Sequence, residues 1–167
     1  MKMTKIYKLI SLLLMTGFIF SADSINNAEY IFSMDRTDIR PSETIVISVD
    51  MSIKKGFYTY SSHPDLTLSP SYFEWIDTTL FSSLGIMNEP KPKVEFVELF
   101  DMDVGKHINN VIFSQEIVLA NNIQPGQHIL EGTFIYQVCN AIQCIPHWDN
   151  FSIPINIESG IPRTEYI

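Results

Sequence analysis

Two cysteines, Cys139 and Cys144, are the residues of this chain best suited to chemistry of their own. They lie in the stretch Tyr136-Gln-Val-Cys-Asn-Ala-Ile-Gln-Cys-Ile-Pro-His-Trp148. In an oxidising compartment an even pair this close is expected to form a disulfide, and the question is whether it is a staple or a redox centre. Closing so small a ring removes only about 2 kcal/mol of unfolded-chain entropy. A domain of this size buries enough apolar surface without that help. Placement for exchange is therefore the favoured reading, and a plain structural bridge stays open beside it. Exchange needs an accessible sulfur and a thiolate of suitable basicity. His147, three residues after Cys144, would favour the thiolate if its ring faced the sulfur; its alternative is a solvent-facing turn residue. Cys139, Cys144 and His147 are also soft or borderline ligands for copper or zinc. Three ligands in one turn lack the second half of a structural zinc site, so neither a metal nor another cofactor is expected.

The start of the chain supplies the oxidising compartment. Lys2, Lys5 and Lys8 precede an apolar run over 9–20, and Ser21-Ala22-Asp23 follows with small and polar residues. That is the layout of a secretory signal peptide, expected over 1–22, with a single domain over 23–167. The run is well short of the roughly 20 residues that cross a bilayer. Removing 1–22 leaves all 19 acids but only 8 of the 11 basic residues, moving the formal charge from −8 to −11. Such an anionic surface repels phosphate, and no Lys/Arg cluster opposes it, so nucleic acid is excluded as a partner. No second long apolar run follows, so no membrane span is expected in the mature chain, which is read as a monomer. An apolar share of 46% and an aromatic share of 12% call for a packed core.

The elements that must position the cysteines are strands. Residues 44–53 alternate, with Ile45, Ile47, Val49, Met51 and Ile53 on one face and Val46, Ser48, Asp50 and Ser52 on the other. The same period of two recurs over 111–119 and 151–157, and shorter strands are predicted at 30–34, 57–60, 72–75, 94–97 and 129–137. Pro, Gly and Asn turns such as Arg40-Pro41-Ser42, Asn109-Asn110 and Gln124-Pro125-Gly126 separate them. No window of helical length carries an apolar stripe. Eight or nine short strands in about 145 residues predict an all-β fold, an antiparallel β-sandwich of immunoglobulin-like type.

Several segments, in order, resemble the amino-terminal immunoglobulin-like domain of the DsbD thiol:disulfide interchange reductases of the bacterial periplasm. Gly56-Phe-Tyr-Thr-Tyr60 and Leu68-Ser-Pro-Ser-Tyr-Phe-Glu-Trp75 resemble its aromatic strand and the strand that follows. Pro90-Lys-Pro-Lys93 with Phe100-Asp-Met-Asp103 resembles its central stretch, and Tyr136-Gln-Val-Cys139 to Cys144-Ile-Pro146 its redox hairpin. The likeness covers residues 28 to 157. It implies a periplasmic domain that exchanges electrons with thioredoxin-like oxidoreductases, or receives them from a membrane reductase, through a mixed disulfide. Carried over residue by residue, Cys144 forms that intermediate and Cys139 resolves it. Phe100 falls where the family caps the disulfide with an aromatic ring, a core phenylalanine being its other reading. Tyr58 and Tyr60 match tyrosines beside the family's active site. Glu98 stands where the family can carry an acid able to move protons, a solvated strand-end carboxylate being the alternative. Two departures bear on the hairpin: the cysteine spacing is shorter than in some members, and His147 stands where a second proline is common. The sequence up to Ile167 contains no thioredoxin-like domain, so a stand-alone domain drawing electrons from another protein is expected. The rival reading is a non-catalytic immunoglobulin-like module that binds a protein or copper and uses the disulfide only as a staple.

Overall fold

The structure is a computed structural model that describes residues 27–167, so the expected signal segment over 1–22 lies outside the described residues. The alternation read at 44–53 is realised as β3 (Thr44–Ile53), whose Ile45, Ile47, Val49 and Met51 are fully buried. It pairs antiparallel with β1 (Ala28–Met34) on one side and β9 (Asn110–Leu119) on the other. The strand β6 (Phe81–Asn88) completes a four-stranded sheet in the order β1-β3-β9-β6.

The second sheet has seven strands. Its backbone is the long hairpin of β10 (Gly126–Cys139) and β11 (Cys144–Ile157), paired over their whole length. β2 (Asp38–Ile39) runs parallel to the end of β11, whereas β5 (Tyr72–Trp75) and β4 (Tyr58–Tyr60) take successive parts of the far side of β10. β7 (Lys93–Val97) and β8 (Met102–His107) form a hairpin that joins the sheet through β4. Among the described residues the helical elements are two short 3₁₀ turns, Pro64–Leu66 and Thr164–Tyr166. The fold is thus the all-β immunoglobulin-like sandwich expected from the sequence.

The main core fills the space between the sheets and centres on Phe113 and Phe134, both fully buried and with ring centroids 5.6 Å apart. Phe32, Phe73, Trp75 and Phe151 extend it as edge-on and tilted aromatic pairs. Gly132 is needed where β5 crosses β10, because a Cβ there would come within 2.8 Å of the Glu74 carbonyl oxygen. A smaller cluster of Tyr60, Val104 and Cys139, flanked by Tyr58, Val97 and Met102, lies apart from the main core. Behind the sandwich, the end of the chain is tied down by Arg163. Its backbone N and Nε donate to Glu43 Oε1, both at 2.8 Å, and a terminal guanidinium nitrogen donates to Glu43 Oε2 at 2.8 Å. Glu43 is fully buried, and the Arg36 and Arg163 guanidinium groups both lie over the Tyr166 ring.

Candidate functional site

The cysteines close the β10–β11 hairpin. Cys139 and Cys144 are directly opposite in register and joined as a disulfide, with Cα atoms 3.9 Å apart. The four-residue connection is shaped by Asn140, whose side-chain oxygen accepts from the backbone N–H of Ile142 at 2.8 Å and of Gln143 at 2.9 Å. Asparagine favours such turns because its side chain substitutes for a backbone acceptor. The two sulfurs are in unlike surroundings. Cys139 is fully buried in the small cluster, while Cys144 is exposed.

Alternation along the hairpin decides which predicted residues reach the disulfide, because successive side chains point to opposite faces of a sheet. Tyr58 is registered against Cys139 in the neighbouring strand, and Tyr60 lies two residues on along β4, so both share the face of the disulfide. Their rings meet edge-on with centroids 5.6 Å apart, and Lys106 Nζ stands 4.8 Å above the Tyr58 ring. The Tyr60 hydroxyl is 3.6 Å from Cys144 Sγ. A disulfide sulfur carries no proton, so the hydroxyl is the donor. Burial, reinforced by the neighbouring Tyr58 phenol, pushes Tyr60 up to about 12, so it keeps its proton at neutral pH.

His147, by contrast, is three residues from Cys144 and therefore on the other face. It is registered against Tyr136 and stacks on it, with centroids 4.9 Å apart and planes 9° from parallel. The structure does not bring its ring to the sulfur, nor does it bring Cys139, Cys144 and His147 together as a ligand set. The odd spacing on a strand was the signal that separates them.

Phe100 and Glu98 lie in the turn between β7 and β8, held by Phe100 N–H donating to the Val97 carbonyl at 3.0 Å and Asp101 N–H to that of Glu98 at 3.3 Å. Glu98 is exposed. Phe100 is 41% exposed, which excludes a fully buried core position. It lines a cavity of about 290 Å³ together with Cys144, Tyr60, Leu68, Val104 and Gln137. Leu68 and Gln137 are lining residues that the sequence reading passed over. Leu68 sits in a polar stretch after a 3₁₀ turn, and nothing in the local pattern reveals that this stretch folds back beside β10.

The arrangement is one accessible sulfur under a phenol donor, backed by a buried sulfur in an apolar cluster and faced by a partly exposed aromatic ring. A nucleophilic thiolate can approach Cys144 and displace Cys139. In the reverse direction the Tyr60 hydroxyl can hydrogen-bond the Cys144 thiolate, which favours the ionised form.

The family model of the N-terminal region of the thiol:disulfide interchange protein DsbD matches residues 27–154 of this chain. Among solved structures, the reduced N-terminal domain of DsbD from Neisseria meningitidis is 16% identical. That match covers 76% of this chain and 86% of that one, with a TM-score of 0.47. The N-terminal periplasmic domain of ScsB from Proteus mirabilis is 17% identical over 78% of this chain, with a TM-score of 0.52, and shares the fold. This chain covers 47% of that ScsB structure. No curated protein matches the sequence. Among the described residues, no helix is long and apolar enough to cross a membrane.

Proposed function

The chain belongs to the family of DsbD N-terminal thiol:disulfide interchange domains, which is periplasmic, and on that premise we propose that it carries electrons through a reversible Cys139–Cys144 disulfide to or from thioredoxin-like oxidoreductases. A signal segment over 1–22 would direct export and be removed from the mature protein. In the donating direction, the Cys144 thiolate attacks a sulfur of the partner's disulfide and the partner's other sulfur leaves as a thiolate. The Cys139 thiolate then attacks Cys144 Sγ, releasing the partner's second sulfur. The partner disulfide gains two electrons, the domain dithiol loses two, and its two protons pass to the partner thiols, through solvent or a nearby base. The observation that carries the proposal is the difference between the sulfurs: Cys144 exposed under the Tyr60 hydroxyl, and Cys139 fully buried behind it.

Equilibration against a glutathione buffer, read by thiol alkylation, tests it. An exchange disulfide should show a potential of roughly −270 to −120 mV, whereas a structural staple lies below about −300 mV. A pair that stays oxidised throughout the buffer range would establish the staple.

We assign Phe100 as the cap of this disulfide. Phe100→Ala should speed attack by glutathione on the oxidised protein, because access governs the barrier, while leaving the reduction potential nearly unchanged. Truncating a fully buried phenylalanine costs about 3 to 5 kcal/mol. The partial exposure of Phe100 places its stability loss well below that range. Stopped-flow reaction with glutathione beside thermal unfolding checks both, and a large stability loss at an unchanged rate would remove Phe100 from the cap role.

A further inference from the structure

One carboxylate, remote from the disulfide, gathers three segments that converge on the site. Glu89 precedes β7, separated from it by Pro90, Lys91 and Pro92. His107 is the last residue of β8. The two therefore mark the entry to and exit from the hairpin whose tip carries Phe100, and His107 Nε2 lies 3.0 Å from Glu89 Oε2. The same carboxylate takes the segment immediately after Tyr60: the Ser61 hydroxyl donates to Oε1 and the Ser62 N–H to Oε2 at 2.7 Å. The side chains of His107 and Glu89 are only 6% and 10% exposed, and Ser61 is fully buried. Burial pushes Glu89 up, but hydrogen bonds from His107, Ser61 and the Ser62 N–H outweigh it and hold the carboxyl below its ordinary range. It is a carboxylate at neutral pH.

The attachment of the hairpin to the sheet is short. β8 meets β4 in two registered pairs, Thr59 with His107 and Tyr60 with Lys106, and Ser61 N–H donates to the Gly105 carbonyl at 3.0 Å. A Cβ on Gly105 would stand 3.0 Å from Ser61 Cβ, so β8 lies hard against this segment. By strand alternation, His107 turns toward the inner face, where its ring meets Phe113 edge-on, whereas Tyr60 and Val104 occupy the face of the disulfide. Glu89 touches neither sulfur. Its three partner groups nevertheless fix the base of the cap hairpin relative to the strand that presents the Tyr60 hydroxyl.

We propose that Glu89 is a positioning residue for thiol:disulfide exchange, holding the Phe100 hairpin and the Tyr60 strand in the register that keeps the Phe100 ring beside Cys144 and narrows the approach to its exposed side. The proposal rests on the exchange function put forward above. Loss of the carboxylate should let the hairpin swing about its short β4 seam and widen the approach to Cys144 without altering the relative stability of dithiol and disulfide.

A double-mutant cycle on the glutathione reaction of the oxidised protein tests it. Glu89→Gln should raise the rate by about threefold or more, and Phe100→Ala should raise it too. If Glu89 acts through the cap, Glu89→Gln should add nothing to the rate in the Phe100→Ala background, although its effect on thermal stability should persist there. Ser61→Ala, which removes one donor and leaves the Glu89–His107 contact, should move the rate in the same direction by less, and supplies the measurement if Glu89→Gln does not fold. An unchanged rate in the folded variant, or an equal acceleration with and without Phe100, overturns the positioning role. Failure of the exchange function itself reads differently, since then neither the wild type nor Phe100→Ala reacts with glutathione.

Discussion

Cys139→Ser should accumulate mixed disulfides with thioredoxin-like proteins, and Cys144→Ser should accumulate none. The difference follows from burial. In Cys139→Ser the remaining sulfur is the exposed one, beneath the Tyr60 hydroxyl. It can attack a partner disulfide, and no internal thiol is left to resolve the product. In Cys144→Ser the remaining sulfur is fully buried among Tyr60 and Val104, where a partner's sulfur has no line of approach. Exchange should be lost altogether in both variants, although only the first leaves a covalent trace. Both lose the same small ring, worth about 2 kcal/mol, and Cys139→Ser also buries a hydroxyl among apolar side chains, so thermal unfolding of each variant is measured beside the trapping. Incubation with an oxidised thioredoxin-like protein and non-reducing electrophoresis would show the asymmetry. Equal trapping by both variants would reverse or dissolve the assignment of roles.

Arg163→Ala should destabilise the protein by clearly more than the ~1 kcal/mol of an exposed ion pair, because it leaves the Glu43 carboxylate without its partner. Glu43 is fully buried and spends both oxygens on Arg163, with Arg40 N–H adding a bond to Oε2 at 3.1 Å. Removing the guanidinium strands a carboxylate in the interior, which costs more than the pair was worth. Glu43→Met combined with Arg163→Met should recover much of the loss, since it removes both charges. The acid limb of stability supplies a second readout. The Arg163 hydrogen bonds, working against burial, bring Glu43 from 4.5 down to about 2 in the folded protein. A folded value below the unfolded one means that the contribution is fully present above about pH 4.5 and is lost as pH falls toward 2. Thermal unfolding should therefore drop between pH 5 and pH 3 in the wild type, and by less in Arg163→Ala. A loss below about 1 kcal/mol, the level of an exposed pair, would show that the clamp contributes no more than a surface ion pair.

What the sequence disclosed of this molecule followed the strength of its alternation. β3 and β5 have the predicted bounds because each lies between clear turns, and β3 buries one face completely. β11 begins at Cys144 rather than at 151, since its inward positions there include the polar His147 and Asp149 while Trp148 faces outward, which inverts the apolar alternation. β6 escaped notice because Ser82, Ser83 and Gly85 interrupt an edge strand that is exposed on most of its length and shifts register against β9. β8 carries Gly105 and two charged residues, and its attachment to the sheet depends on β4, which is far away in the chain. For the site, the disulfide was readable from cysteine spacing and the tyrosines from the family likeness. The separation of His147 from Cys144 required strand parity. Glu89 was beyond reach, because its partners are 18 to 28 residues away and meet only through the fold.

The β10–β11 hairpin also has two faces with separate dependencies. Tyr136 and Val138 belong to the main core, and Cys139, the next residue, belongs to the small cluster with Tyr60 and Val104. Most of the apolar burial that keeps the chain folded lies with Phe113, Phe134 and their neighbours, while the surroundings of the sulfurs are set by a handful of residues outside that core. Such a partition lets mutation explore one without taxing the other. Changes at Tyr58, Val97, Met102 or Leu68 would alter how the sulfurs are approached while the sandwich survives them.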